Sequence, residues 1–198
     1  MSARAFEEDP GCSYMFVDFE GKAKLDILAW FWERYLWLSV AFNPENYVIM
    51  NGEDVIAETC ILFHDGHVVT FWDKMRAGIL KMPFVAGMNA VNRMLKNGNL
   101  SLEDDILWGK LGLDKTKFSK IEHVAVDPKF QGRGLGRKIV EHSIERIRQK
   151  GYSGCFLGTQ KKANVDFYTK LGFEKVGEQL VDETAEDSPY KYLMLMKF

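Results

Sequence analysis

This chain is poor in the residues that build metal sites and disulfide frameworks. Cysteine occurs only at Cys12, Cys60 and Cys155 in 198 residues. Three thiols cannot all pair and no Cys-x-x-Cys spacing occurs, so a disulfide scaffold is excluded and a reducing, cytoplasmic setting is expected. Of the four histidines, His64 and His67 flank a turn, with no further ligand at a known spacing, so they read as turn residues and no metal is expected. Neither sign of charge dominates. With 26 Lys and Arg against 28 Asp and Glu, the net charge of −2 argues against a nucleic-acid partner. Residues Met1 to Pro10 are acidic and lack an apolar centre, so no signal peptide is expected. A membrane span needs about 20 consecutive apolar residues. The most apolar stretch, 21–42, is interrupted by Lys24, Asp26, Glu33 and Arg34, so no membrane partner is expected. There is no internal repeat and no low-complexity segment. What remains is 46% apolar and 13% aromatic, the composition of a folded globular chain, expected as a single domain over 1–198.

Periodicity and turn residues predict the elements. A short helix over 3–9 stops at Pro10. A long helix over 21–42 is apolar nearly all round, which predicts burial on more than one face and makes a dimer as reasonable as a monomer. Strands are expected at Tyr47–Met50, Val55–Phe63 and His67–Trp72, with Asn51-Gly52 and Asp65-Gly66 as hairpin turns. Helical segments follow over 74–97, kinked or split at Pro83 and weakened by Gly87, and over 101–113, opened by Ser101 as N-cap. This 74–113 insert separates two halves of the sheet and is a natural place for acceptor-specific structure. A strand over 118–126, a helix over 134–150 with Leu135, Ile139, Val140, Ile144 and Ile147 as its buried stripe, a strand over 153–159 and a helix over 163–171 come next. Strands at 173–181 and 190–197 close the chain around an acidic loop, Asp182 to Asp187. Alternation along 118–126 puts Lys120, Glu122, Val124 and Val126 on one face, and Ile121, His123 and Ala125 on the other.

The chemistry concentrates where that strand ends. Asp127-Pro128 breaks it, and Gly132, Gly134 and Gly136 lead into the helix. Strand, glycine loop and helix start together form an anion cradle, because the first helical turn has unpaired N–H groups and a favourable dipole. Arg133, Arg137 and Lys138 crowd the same end, where a cation costs about 0.3–1 kcal/mol unless an anion lies among them. The loop is no Walker A motif, since no Gly-Lys-Ser/Thr closes it. Nor is it a dinucleotide fingerprint, since Arg137 stands where the third glycine would be.

What fits is Gln/Arg-x-x-Gly-x-Gly/Ala, present as Gln131-Gly132-Arg133-Gly134-Leu135-Gly136. This resembles the acetyl-CoA signature of the GNAT (GCN5-related) superfamily of N-acetyltransferases. Downstream, Asn164-x-x-x-Tyr168-x-x-x-Gly172-Phe173 resembles the second family signature, in the right order and about 30 residues on. The close resemblance covers residues 118–175, about 58 of 198. Ala5-Phe6 to Asp9-Pro10, with Tyr14 and Phe16 after it, resembles the puromycin-acetyltransferase-like branch and carries no substrate information. The resemblance implies an α/β (α+β) GNAT fold: a mixed, mostly antiparallel sheet, with a central parallel strand pair splayed around the cofactor and helices on its faces. It implies that the loop from Gln131 through Gly132, Arg133, Gly134, Leu135 and Gly136 to Arg137 holds the pyrophosphate of coenzyme A. Val124-Ala125-Val126 would pair with the pantetheine arm, Asn164 would contact that arm, and Tyr168 would point its hydroxyl at the thioester sulfur.

The activity implied is transfer of acetyl from acetyl-CoA to the primary amine of a small molecule or peptide, by direct attack in a ternary complex. Two other readings stay open: a non-catalytic acyl-CoA-binding domain, and a transferase for a longer acyl group. Direct attack needs a neutral amine, and Glu122 is the first candidate for the base, with His123 second. Tyr168 is the candidate acid, and a strand amide near Val124 the family's usual oxyanion donor. Cys155, in an apolar strand with no histidine beside it, reads as an inert buried thiol. The acceptor is expected among the early helices, the strand ends near Trp72 and the 74–113 insert. Glu7, Glu8 and Asp9 are candidate attractors for a cationic amine.

Overall fold

The computed structural model describes residues 1–42, 45–98 and 102–198. Three helices open the chain: α1 (Ser2–Ala5), α2 (Pro10–Met15) and α3 (Gly21–Phe42). Strands β1 (Asn46–Asn51) and β2 (Asp54–Leu62) form a hairpin, followed by helices α4 (Phe71–Arg76) and α5 (Met82–Gly98). Then come β3 (Phe118–Val126), α6 (Leu135–Gln149), β4 (Gly154–Thr159), α7 (Lys162–Thr169), β5 (Glu174–Leu180) and β6 (Tyr190–Lys197). The six strands make one sheet in the order β1-β2-β3-β4-β6-β5, in which only β3 and β4 run parallel. Helix α6 is the crossover between those two, as parallel neighbours require.

Successive residues of β2 point to opposite faces, and this sets the layers. Ile61 enters a core with Ile139, Val140, Ile144 and Ile147 of α6, the stripe expected from the 3.6-residue period. Its neighbour Cys60 faces the other way, where Ser39 Oγ of α3 lies 3.0 Å from its sulfur. On that side a second core joins Trp32 and Leu28 of α3, Phe16 next to α2, and Met82 and Ala90 of α5. Each fully buried Leu, Ile or Phe contributes about 1.5–3 kcal/mol. Helix α3 buries only one stripe, however, and leaves Trp37 and Val40 exposed rather than covering several faces.

Several local expectations are corrected. Pro10 starts a helix rather than stopping one: the Asp9 side chain accepts hydrogen bonds from the amides of Gly11 and Cys12, and a proline in the first turn loses no intrahelical bond. The third strand, His67–Trp72, does not form. Thr70 and Asp73 make a capping box that opens α4 there, while His67 Nε2 lies 2.9 Å from Asp73 Oδ2. The helix over 74–97 is split, and the break is not at Pro83, which sits harmlessly in the first turn of α5. The breaks are at Gly78, left-handed at φ 76° before the turn Ile79–Lys81, and at Gly87, with φ 81° and ψ 165°. Beyond them, Asp104–Lys110 winds as a π-helix, and the expected N-cap Ser101 lies outside the described residues. The insert does not part the sheet either, since the strands it joins, β2 and β3, are paired neighbours.

Candidate active site

The parallel pair separates almost as soon as it forms. Its ladder runs from Phe118↔Gly154 to Lys120↔Phe156 and ends there. Gly154 permits the close approach at the joined end: a Cβ there would lie 2.3 Å from Met196 O and 2.5 Å from the Phe118 ring. Past Lys120 the strands diverge, and β3 bulges. Cys60 pairs with His123 and Ile61 with Ile121, so Glu122 has no residue opposite. A bulge of this kind bends and over-twists its strand. The opening is a cleft of about 350 Å³ lined by Glu122, His123, Val124, Thr159, Asn164 and Tyr168, among others.

The bulge also overturns the expected alternation. Ile121, Val124 and Val126 all pack in the α6-side core, which strict alternation would forbid. Lys120, Glu122 and His123 all line the cleft, so Glu122 and His123 are neighbours in it rather than on opposite faces. The His123 ring meets the edges of Trp32 and Tyr35 at centroid distances of 6.0 and 5.9 Å.

At the loop, Gly132 and Gly134 adopt φ 75° and 78°, conformations that glycine reaches without a Cβ penalty. A Cβ at either would meet no atom within 4 Å, so the space beside both is open. Gly134 precedes the first turn of α6 and no side chain caps it, while Lys138 N already bonds to Gly134 O. The amides of Leu135, Gly136 and Arg137 are thus the orphan donors of the helix start. This arrangement fits a pyrophosphate. Gln131 Nε2 reaches back 3.1 Å to Val126 O, tying the loop to the strand end. The arginines are less crowded than the sequence suggested: Arg133 lies over the Phe130 ring, and Arg137 turns along the helix to Glu141 at 3.1 Å. Asp127 caps the turn before the loop and pairs with Arg4 of α1 at 2.5 Å.

Glu122 is held by its surroundings. Tyr35 OH donates to its Oε1 at 2.7 Å, and Lys120 Nζ lies 2.9 Å from its Oε2, an ion pair out of line for a hydrogen bond. Lys120 is shared with Glu103 at 2.9 Å, and Glu103 also meets Lys191 at 3.4 Å. Burial pushes the Glu122 carboxyl up, but Lys120 and the Tyr35 bond outweigh it and leave it below the ordinary value. Burial also pulls His123 down, against Glu58 at 3.9 Å, and its Nδ1 has no hydrogen-bond partner among the described residues.

Across the cleft, Asn164 Nδ2 donates to Thr159 Oγ1 at 3.1 Å, bridging α7 to the end of β4. Tyr168 is buried against Phe167 and Phe173, and burial pushes its phenol well above 10. Cys155 is fully buried and its thiol is pushed up to about 12. The far wall is built by Phe6, Asp9, Trp32 and Tyr35 from the early helices and by Met94 and Asn97 at the end of α5. Trp72, in contrast, is 63% exposed and does not line the cleft. Sequence reasoning missed Tyr35 and Lys120 as partners of Glu122. Lys120 carried a signal, being two residues away on the same strand. Tyr35, 87 residues away, carried none.

Residues 84–194, more than half of the chain, match the family model described as an acetyltransferase (GNAT) domain. The chain is 38% identical over 107 residues to glucosamine 6-phosphate N-acetyltransferase of Trypanosoma brucei brucei, a match spanning 54% of this chain and 67% of that enzyme. It is 32% identical over 65 residues to an N-acetyltransferase of Methanocaldococcus jannaschii, 32% of this chain and 29% of the other, so it spans less than a third of that protein's length. The polyamine N-acetyltransferase of Drosophila melanogaster shares the fold, with a TM-score of 0.58 at 13% identity over 100% of this chain and 91% of the other.

Proposed function

Since the chain belongs to the GNAT acetyltransferase family, we propose that it transfers acetyl from acetyl-CoA to the primary amine of a small molecule or peptide. The observation that carries this is the joining of two features. An uncapped helix start with open glycines at Gly132 and Gly134 lies at the end of β3, and Asn164 and Tyr168 line the cleft between the splayed strands.

In this reading the amides from Gly132 to Arg137 hold the pyrophosphate, and Val124–Val126, paired to β2 on one edge and beyond the end of the β4 ladder on the other, holds the pantetheine arm along that second edge with Asn164. The amine nitrogen attacks the acetyl carbonyl carbon, the carbon–sulfur bond breaks, and sulfur leaves as thiol. The amine gives up a proton toward Glu122, directly or through one water, with His123 beside it. A backbone amide near Val124 faces the developing oxyanion. Tyr168, kept protonated by burial, donates to the departing sulfur. The Cys155 thiol, pushed up to about 12, holds no thiolate at neutral pH, which favours direct transfer over a covalent route.

Calorimetry with acetyl-CoA on wild type and Gly134→Glu tests the cofactor half. Binding by wild type and loss in the variant are expected, because a carboxylate at 134 would occupy the anion's place. Thiol release across a panel of primary amines tests the transfer half. Binding without release by any amine would leave a non-catalytic acyl-CoA-binding role.

A further inference from the structure

We propose that the segment from His67 to Met88 is a docking surface for an anionic lipid membrane. Of the nineteen exposed large hydrophobic side chains among the described residues, nine fall between Val68 and Met88. They protrude: Phe84 is 91% exposed, Val68 81%, Trp72 63%, and Phe71 and Met88 59% each. Monomeric soluble proteins rarely gather so much exposed apolar surface without an interaction to serve. Val68 and Val69 lead into α4; the other seven lie on α4, the 3₁₀ turn Ile79–Lys81 and the start of α5, and the turn contacts both helices.

Charge says what covers this surface. From Lys74 to Leu102 the sequence holds five cations and no acid. Arg93 and Lys96 are neutralised by Asp18 and Asp182. Lys74, Arg76 and Lys81 are exposed and have no acidic partner among the described residues. Asp73, the one acid within the segment, is buried and consumed by Thr70 and His67. The segment therefore presents aromatic and aliphatic tips among unpaired cations, although the chain as a whole is balanced.

A second copy fits this surface poorly. A two-fold contact would bring the same three cations of each copy together with nothing to offset them. A rigid protein partner would need a pocket for each tip, whereas tips as exposed as Phe84 and Val68 suit insertion into a deformable apolar phase. Trp, Phe and Leu beside Lys and Arg are the residues that hold a segment in the interface of an anionic bilayer. No helix among the described residues is long and apolar enough to cross a membrane, and interfacial docking needs none.

The test is co-sedimentation with phosphatidylcholine vesicles, with and without about one lipid in three replaced by phosphatidylserine. Wild type should pellet with the anionic vesicles, release as salt rises, and stay in solution with phosphatidylcholine alone. Phe84→Ser combined with Trp72→Ser should reduce partitioning by roughly tenfold or more. Neutralising Lys74, Arg76 and Lys81 to Gln should reduce it by about fivefold per cation. All these side chains are exposed, so thermal unfolding should match wild type in both variants. The proposal is overturned if anionic vesicles do not pellet the protein, if the variants bind as wild type does, or if sedimentation equilibrium shows a dimer that Phe84→Ser dissolves.

Discussion

The same chemical change, glycine to alanine, should have opposite effects on stability at two positions of the phosphate loop. Gly134 has φ 78°, in the left-handed region, while Gly136 lies in the first turn of α6 with ordinary helical φ. An alanine at 134 would carry a left-handed penalty of about 1–2 kcal/mol, whatever space surrounds it. An alanine at 136 would lie 3.6 Å from Phe167 Cζ and 3.7 Å from Val126 Cγ2, ordinary contact distances. It should instead gain up to about 1 kcal/mol from helix propensity. At about 2–4 °C per kcal/mol for a chain of this size, Gly134→Ala should lower Tm by about 2–8 °C, and Gly136→Ala should leave it unchanged or raise it by up to about 4 °C. Differential scanning fluorimetry without ligand resolves that difference. The strain at 134 is present in free and bound protein alike, so it cancels from the dissociation constant of acetyl-CoA. Any loss of affinity in Gly134→Ala therefore measures intrusion of the methyl into the anion's place. Equal melting shifts in the two variants, or a rise for Gly134→Ala, would refute the loop conformation.

Glu122→Gln should slow turnover most at neutral pH and recover toward wild type as pH approaches the pKa of the amine, because solvent then supplies the free base; an unchanged pH–rate profile would retire Glu122. Tyr35→Phe removes a bond that holds the Glu122 carboxyl down, so the acid limb of kcat/KM should move to higher pH, and a move to lower pH would be inconsistent with the geometry. Tyr168→Phe should cost roughly 100-fold in kcat, at the low end of acid–base contributions, with coenzyme A affinity near wild type; full activity would remove the acid role. Asp73 is held down to about 2 by Thr70 and His67, below the ordinary 3.8. Its stabilising effect is thus complete above about pH 4 and lost as pH falls toward 2. Acid unfolding of wild type and Asp73→Asn should differ most above pH 4 and converge toward pH 2, and parallel curves throughout would contradict the depressed pKa.

Features that depend on local pattern were legible in the sequence. The apolar stripe of α6 repeats with the helical period, and Gly132 and Gly134 are needed for their own backbone angles. The Asn164 and Tyr168 signature sits within one short helix. Features decided by distant partners were not legible. The bulge at Glu122 exists because β2 pairs Cys60 with His123 and Ile61 with Ile121, a register that β3 alone does not reveal. Tyr35 looked like one more aromatic on an apolar helix until the fold brought it to Glu122. The failed strand after Asp65-Gly66 is a different case. Thr70-x-x-Asp73 is a capping box in plain sight, and it prevails over the strand that the Asp65-Gly66 hairpin turn predicts.

Burial of all three cysteines has a practical consequence. Cys60 and Cys155 are fully buried, and Cys12 is 4% exposed with its thiol pushed up by burial. The native protein is therefore nearly silent toward a thiol-reactive dye. During turnover, colour would count molecules of released coenzyme A against almost no background. In its absence, the slow appearance of three protein thiols per chain would time the opening of the fold itself.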